Sequence, residues 1–131
     1  MSAAAAAFAA AAYASPRDAA LTPRQAEYRL FARVNHRISA ALAAHDAGEA
    51  DGFVRLLQAL EDNRRLWTAL AVDLASDGNR LPETLRAGLL SLAGFAEREI
   101  GRVRAGDADG RALVEINESV MKGLRARPEV V

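Results

Sequence analysis

The stretch Phe53-Val54-Arg55-Leu56-Leu57-Gln58-Ala59-Leu60-Glu61-Asp62-Asn63-Arg64-Arg65-Leu66-Trp67-Thr68-Ala69-Leu70-Ala71-Val72-Asp73-Leu74 decides the fold class. Phe53, Leu56, Leu57, Leu60, Trp67, Leu70, Ala71 and Leu74 recur with the i, i+3, i+4, i+7 rhythm of one helical face, and Asn63 fills the one polar gap. A strand would need period-two alternation and β-branched residues, which are sparse here and never alternate. The chain is therefore expected to be all-α.

The same rhythm extends in both directions. On the N-terminal side, Thr22-Pro23-Arg24-Gln25 has the form of a capping box, with proline at the first helical position. Phe31, Val34, Ile38 and Leu42 then form a stripe. The segment His45 to Gly52 ends that helix; Gly48 is the expected left-handed stop and Asp51 the expected cap of the next helix. On the C-terminal side, Asp77-Gly78-Asn79 breaks the central helix, and Pro82-Glu83 suits the first turn of a third. Leu85, Leu89, Leu92, Ala96, Ile100 and Val103 make the third stripe, and Gly106-Asp107-Ala108-Asp109-Gly110 makes the third turn. A fourth helix carries Leu113, Ile116, Val120 and Leu124, with Asn117 at the edge of the stripe and Gly123 as its expected stop.

Short turns between amphipathic helices favour antiparallel neighbours. The expected architecture is a small antiparallel bundle of about four amphipathic helices over residues 22–126, preceded by an Ala-rich N-terminal segment, 1–21, and followed by a tail, 127–131. A chain of 131 residues suits one domain with one core, burying roughly two-thirds of its unfolded surface. Although 51% of the residues are hydrophobic, many are alanine. The large core side chains are then mostly leucines, with Phe31, Phe53, Trp67 and Phe95.

Composition also excludes function classes. Seventeen basic and seventeen acidic residues cancel, which argues against a protein held mainly by nucleic-acid phosphates. Without cysteine there is no disulfide, thiolate metal site or thiol nucleophile. No window has the strongly apolar length of a membrane span, so no membrane association is expected. The run Ala3 to Ala14 imitates a leader only superficially: nothing before Arg17 is basic, and alanine makes a weak apolar region.

No phosphate loop, nucleophile elbow or zinc-binding helix motif is present. His36 and His45 are nine positions apart, so they share no i, i+4 face. The chain is expected not to be an enzyme and to need neither cofactor nor metal. Glu97, Arg98, Glu99 and Arg102, like Glu61, Asp62, Arg64 and Arg65, interleave charge as a solvated helix face does. Trp67 fits either a core position or a partner-binding anchor. Asn35, Asn63 and Asn117, on or beside apolar stripes, fit either an interhelical hydrogen bond that sets register or contacts to the backbone of an incoming peptide. With much alanine and little aromatic bulk, such a bundle is expected to leave an under-filled groove able to take an amphipathic partner helix.

Several stretches, in order, resemble the FlaF family of flagellar regulators: Glu27-Tyr28-Arg29-Leu30-Phe31, Leu66-Trp67-Thr68-Ala69-Leu70 with Asp73-Leu74, and Asn79-Arg80-Leu81-Pro82. Leu85-Arg86-Ala87, Leu89-Leu90-Ser91-Leu92-Ala93, Ile116-Asn117 and Met121-Lys122-Gly123-Leu124 continue the resemblance, which spans Thr22 to Leu124. Glu118 departs from it, standing where a basic residue is expected. The resemblance implies a cytoplasmic alphaproteobacterial protein that promotes flagellin synthesis and export. Its expected partner is flagellin, bound in a chaperone-like way, with Asn63, Trp67, Leu70, Asn117 and Met121 presented toward a partner helix. The alternative is post-transcriptional regulation of flagellin mRNA, directly or with FlbT.

Overall fold

The turn chemistry of the chain divides it into helices before any packing is considered. The computed structural model describes residues 23–126. They form α1 (Pro23–Asp46), α2 (Gly52–Leu74), α3 (Glu83–Arg104) and α4 (Arg111–Ala126). The capping side chain expected at Thr22 lies outside the described residues, as do the Ala-rich segment and the tail, whereas Pro23 begins α1 as expected.

Two turns share one device. Gly48 and Gly106 have positive φ, 74° and 82°, where a Cβ would be strained. At the first, Gly48 N–H donates to His45 C=O and Glu49 N–H to Ala44 C=O, each at 3.0 Å. At the second, Gly106 N–H donates to Val103 C=O at 3.0 Å and Asp107 N–H to Arg102 C=O at 2.8 Å. These paired bonds satisfy carbonyls that the helix end would otherwise orphan.

The α2–α3 turn is built differently. It contains no positive-φ residue. Instead Asn79, buried, donates from Nδ2 to Asp73 Oδ2 at 3.0 Å, and its Oδ1 accepts from Leu81 N–H at 3.0 Å. Arg86 Nε, reaching back from α3, donates to Leu74 C=O at 3.1 Å and so closes the end of α2. The Asn79-Arg80-Leu81-Pro82 stretch is thus a folded plug on α2 as well as a helix breaker.

Cross-helix contacts show the topology. Phe31 meets Trp67 and Arg37 meets Asp62, so α1 and α2 are antiparallel. Arg104 meets Glu61 and Arg86 meets Leu74, so α2 and α3 are antiparallel. Arg111 meets Asp46 while Asn117 meets Asn35, so α4 returns along α1. The helices run up and down around a ring in chain order. Three sides of it are well packed, and the fourth, between α3 and α4, touches only lightly.

The core contains Phe31, Val34, Ile38, Leu56, Leu60, Trp67, Leu70, Leu74, Ala96, Ile100, Val103 and Leu113. Each large aliphatic or aromatic side chain among them contributes roughly 1.5–3 kcal/mol by leaving water. Gly52 is buried where α1 and α2 come closest: a Cβ there would lie 2.6 Å from His45 Cα.

Four expectations are corrected. Phe53 and Phe95 are not core residues; they are 42% and 38% exposed, because each falls on the flank of its stripe. Leu85, expected inside, is also exposed. Asp51 occupies the cap position of α2, but its side chain makes no capping hydrogen bond. Gly123 does not stop α4, which continues to Ala126.

Candidate functional site

The inner face of α4 carries a polar layer through the apolar core. Asn117 is fully buried; its Oδ1 accepts from Trp67 Nε1 at 2.9 Å. Its Nδ2 donates to Asn63 Oδ1 at 2.8 Å and lies 3.3 Å from Asn35 Oδ1. One amide therefore ties α4 to α1 and to two successive turns of α2. Phe31 packs edge-on against the indole, with ring centroids 5.7 Å apart and planes at 79°. Asn63 Nδ2, also buried, has no hydrogen-bond partner. In this setting each amide orientation follows from the indole, which can only donate.

Four of the five residues expected to face a partner belong to this interior. Asn63 and Asn117 are 0% exposed, Leu70 1% and Trp67 2%. They face one another because Trp67, Leu70 and Asn63 lie on the inward stripe of α2, and Asn117 is at the centre of the buried face of α4, not its edge. In this closed bundle Trp67, Asn63 and Asn117 are joined by hydrogen bonds across the helix interface, and Leu70 is packed in the core. Met121 alone is half-buried and reaches the surface.

Among the described residues, an accessible groove lies at the lightly packed seam. Leu85, Leu89 and Leu92 of α3 face Ser119, Val120, Gly123 and Leu124 of α4 across an open apolar groove of about 180 Å³. No charged side chain lines it. Its origin follows from the polar layer: hydrogen bonds from Asn117 draw α4 toward α1 and α2, so α4 stands off from α3. On the floor, Ser119 and Gly123 are one helical turn apart, and a Cβ on Gly123 would meet nothing within 4 Å. A second backbone can approach closely there. Periodicity alone identifies the Leu85-Leu89-Leu92 stripe but assigns it to the core. The spacing of Ser119 and Gly123 is the available signal that α4 offers little bulk to fill the gap.

Charge gathers away from the groove. Glu61 accepts from Arg64 at 2.6 and 3.0 Å and from Arg104 at 3.1 Å, and lies 3.5 Å from Arg65. The Arg64 hydrogen bonds, with the neighbouring positive charges, outweigh partial desolvation and lower its pKa to about 2. Arg37 pairs with Asp62, Arg102 with Glu99, and Arg111 with both Asp46 and Asp109. These arginines are interleaved with acids and form no stripe for a phosphate backbone.

His36 and His45 are both exposed, and the His45 ring lies against Phe53 with centroids 5.5 Å apart. Among the described residues no group of three or more His, Cys, Asp or Glu side chains is placed to hold a metal ion. Nor is any described helix long and apolar enough to cross a membrane.

Against known proteins, the family model for flagellar protein FlaF matches residues 9–124. The match begins ahead of Thr22 and runs through all four helices up to Leu124. No curated protein and no solved structure matches the chain.

Proposed function

This chain belongs to the FlaF family of flagellar proteins, and we propose that it promotes flagellin synthesis and export by binding flagellin in the cytoplasm, without chemistry. The observation that carries this reading is the open, uncharged groove between α3 and α4. An amphipathic helix laid into such a groove inserts its apolar stripe between the two walls, and those anchors supply the affinity. The leucine wall would receive the partner's bulky side chains, and Ser119 with Gly123 would let its backbone come close. Covering that stripe before export prevents exposed apolar surface from associating prematurely.

This reading moves the partner-binding face from the Asn63–Trp67–Leu70–Asn117 layer to the groove beside it, with Met121 at the margin. The buried layer then acts indirectly, by holding α4 in the position that leaves the groove open.

Calorimetric titration of monomeric flagellin into the protein, at low and moderate salt, tests the proposal. The expected result is micromolar or tighter binding with a negative heat-capacity change, little affected by salt. Leu89→Asp, which places a charge on the groove wall, should weaken binding at least tenfold while the protein stays folded by circular dichroism. No heat under any condition would overturn the direct-binding reading. Steep weakening with salt would instead favour contact with flagellin mRNA.

A further inference from the structure

The groove is smaller than the occupant its shape invites. At about 180 Å³ it suits one aromatic ring, since an apolar cavity of about 150 Å³ holds a benzene. A helix seated in a groove inserts several anchors, at i, i+3, i+4 and i+7. To receive that stripe one wall must move, and the two walls are held differently. α3 is fixed to α2 at both ends, through Arg86 on Leu74 C=O and Arg104 on Glu61, and it buries Ala93, Ala96, Ile100 and Val103.

α4 is held at its start and at its middle. At the start, Arg111 pairs with Asp46 and Asp109. Gly110 is buried there, where a Cβ would lie 3.8 Å from Leu42 and from Val103. At the middle, Asn117 accepts from Trp67 and donates to Asn63, both on α2. The groove residues Ser119, Val120, Gly123 and Leu124 all lie beyond that point. The α3–α4 turn has positive-φ glycines near both of its ends, Gly106 at 82° and Gly110 at 96°. Hinges are short segments of this kind, in which a few residues absorb a change of dihedral angle.

The middle attachment is imperfect. Asn63 Nδ2 is buried without a hydrogen-bond partner. Exchanging the ends of the amides does not supply one: the indole can only donate, so Asn117 must turn Oδ1 to Trp67 and Nδ2 to Asn63. A buried network with one member unsatisfied is less stable than one completely bonded. Moving α4 outward would admit water to Asn63 Nδ2, which offsets part of the loss of the two Asn117 bonds.

We propose that α4 is a hinged wall: it pivots at residues 106–110 while resting on α1, releases Asn117 from Trp67 and Asn63, and widens the groove to admit a partner helix. The pivot stands on the geometry of α4 alone; the identity of the partner as flagellin rests on the reading given above. With the open form a minor population, apparent partner affinity falls by the fraction open.

Native-state hydrogen exchange on the full chain tests this by comparing amides of residues 119–124 with those of residues 56–70. The outer half of α4 should exchange at least tenfold faster, through an opening whose urea dependence lies between zero and that of global unfolding. A slope equal to the global one would overturn the proposal. So would a slope of zero, which marks fraying of the helix end. Trp67→Phe, which removes one of the bonds to Asn117, should speed exchange at 119–124 by the same factor as global exchange, because both the open and the unfolded forms lack that bond. An unchanged rate at 119–124 would show that the opening leaves Asn117 in place, and the hinge would fall. If Trp67→Phe does not fold, the wild-type slopes still decide. In calorimetry the same variant should tighten flagellin binding by the factor found for exchange. Faster exchange with unchanged binding would overturn the role of the opening in partner entry. Intermediate slopes and faster exchange with no flagellin binding at all would sink the flagellin reading and leave the hinge standing. Flagellin binding, with exchange at 119–124 unmoved by Trp67→Phe, would do the reverse.

Discussion

Trp67 donates its indole N–H to Oδ1 of Asn117 at 2.9 Å, both side chains being buried although fifty positions separate them in the chain. This bond joins the middle of α2 to the middle of α4, and the Asn117 Nδ2 completes the junction through Asn63 Oδ1. α4 is thereby positioned by directional bonds as well as by packing, which explains why it rests on α1 and stands away from α3.

Asn117→Ala would leave the Trp67 N–H and the Asn63 Oδ1 buried without partners, each costing about 1–3 kcal/mol. A total loss of about 3 kcal/mol, seen as a fall in Tm of roughly 10 °C, is expected in a thermal melt. Trp67→Phe should lose less, and the double variant should be less destabilised than the sum, because the two share one bond. Strict additivity would show that the bond contributes nothing.

The glycines give opposite signs. Gly52→Ala would drive a Cβ to within 2.6 Å of the His45 backbone, so α1 and α2 must separate. Overpacking of that kind costs about 1–3 kcal/mol. Gly101, inside α3 and exposed, has open space where a Cβ would stand, with nothing within 4 Å. Gly101→Ala should stabilise the protein by about 0.5–1 kcal/mol through helix propensity alone. Urea midpoints of the two variants should move in opposite directions.

At the α2–α3 turn, Asn79→Asp tests the plug. It would place a second carboxylate about where Nδ2 now sits 3.0 Å from Asp73. Two such groups cannot both ionise cheaply. The variant should therefore be least destabilised at acidic pH and increasingly so as pH rises through the carboxylate range, whereas Asn79→Ala should show a loss of about 1–3 kcal/mol with little pH dependence. Parallel pH curves for the two variants would rule this account out.

Glu61 predicts part of the acid limb of stability. Its carboxyl is held at about 2, against 4.5 when unperturbed, chiefly by its hydrogen bonds from Arg64. A depressed carboxyl binds protons more weakly folded than unfolded, so its contribution is complete above about 4.5 and is lost as pH falls through about 2. Glu61→Gln should flatten the stability curve across that window. Because the group is partly exposed, added salt should shrink the difference between variant and wild type.

The features legible in the sequence are those with a local cause. Gly48 and Gly106 end helices because a positive-φ residue closes a helix through near neighbours, the paired bonds reaching back only three and five positions. Pro23 and Glu83 lie at the starts of α1 and α3 for equally local reasons. Asp51 fails as a side-chain cap although its position is right, since its dihedral angles, φ −96° and ψ 3°, depart from the extended form that capping favours. Phe53 and Phe95 suit the core by residue type, yet each sits where its helix flank turns to solvent.

By itself the sequence determined the helical class, the four helices of the described residues, their turns and the apolar stripe on each, because these depend on periodicity and on the backbone preferences of residues close in the chain. Only the tertiary structure decided which polar residues go inside and where the gap falls. Asn117 needed an acceptor and a donor site from helices far away in sequence, and meeting Trp67, Asn63 and Asn35 drew α4 to one side of the ring. Leu85, Leu89 and Leu92 became a groove wall instead of core for that same reason. Burial is set by how closely a neighbouring helix approaches, and no repeat within one helix encodes that distance.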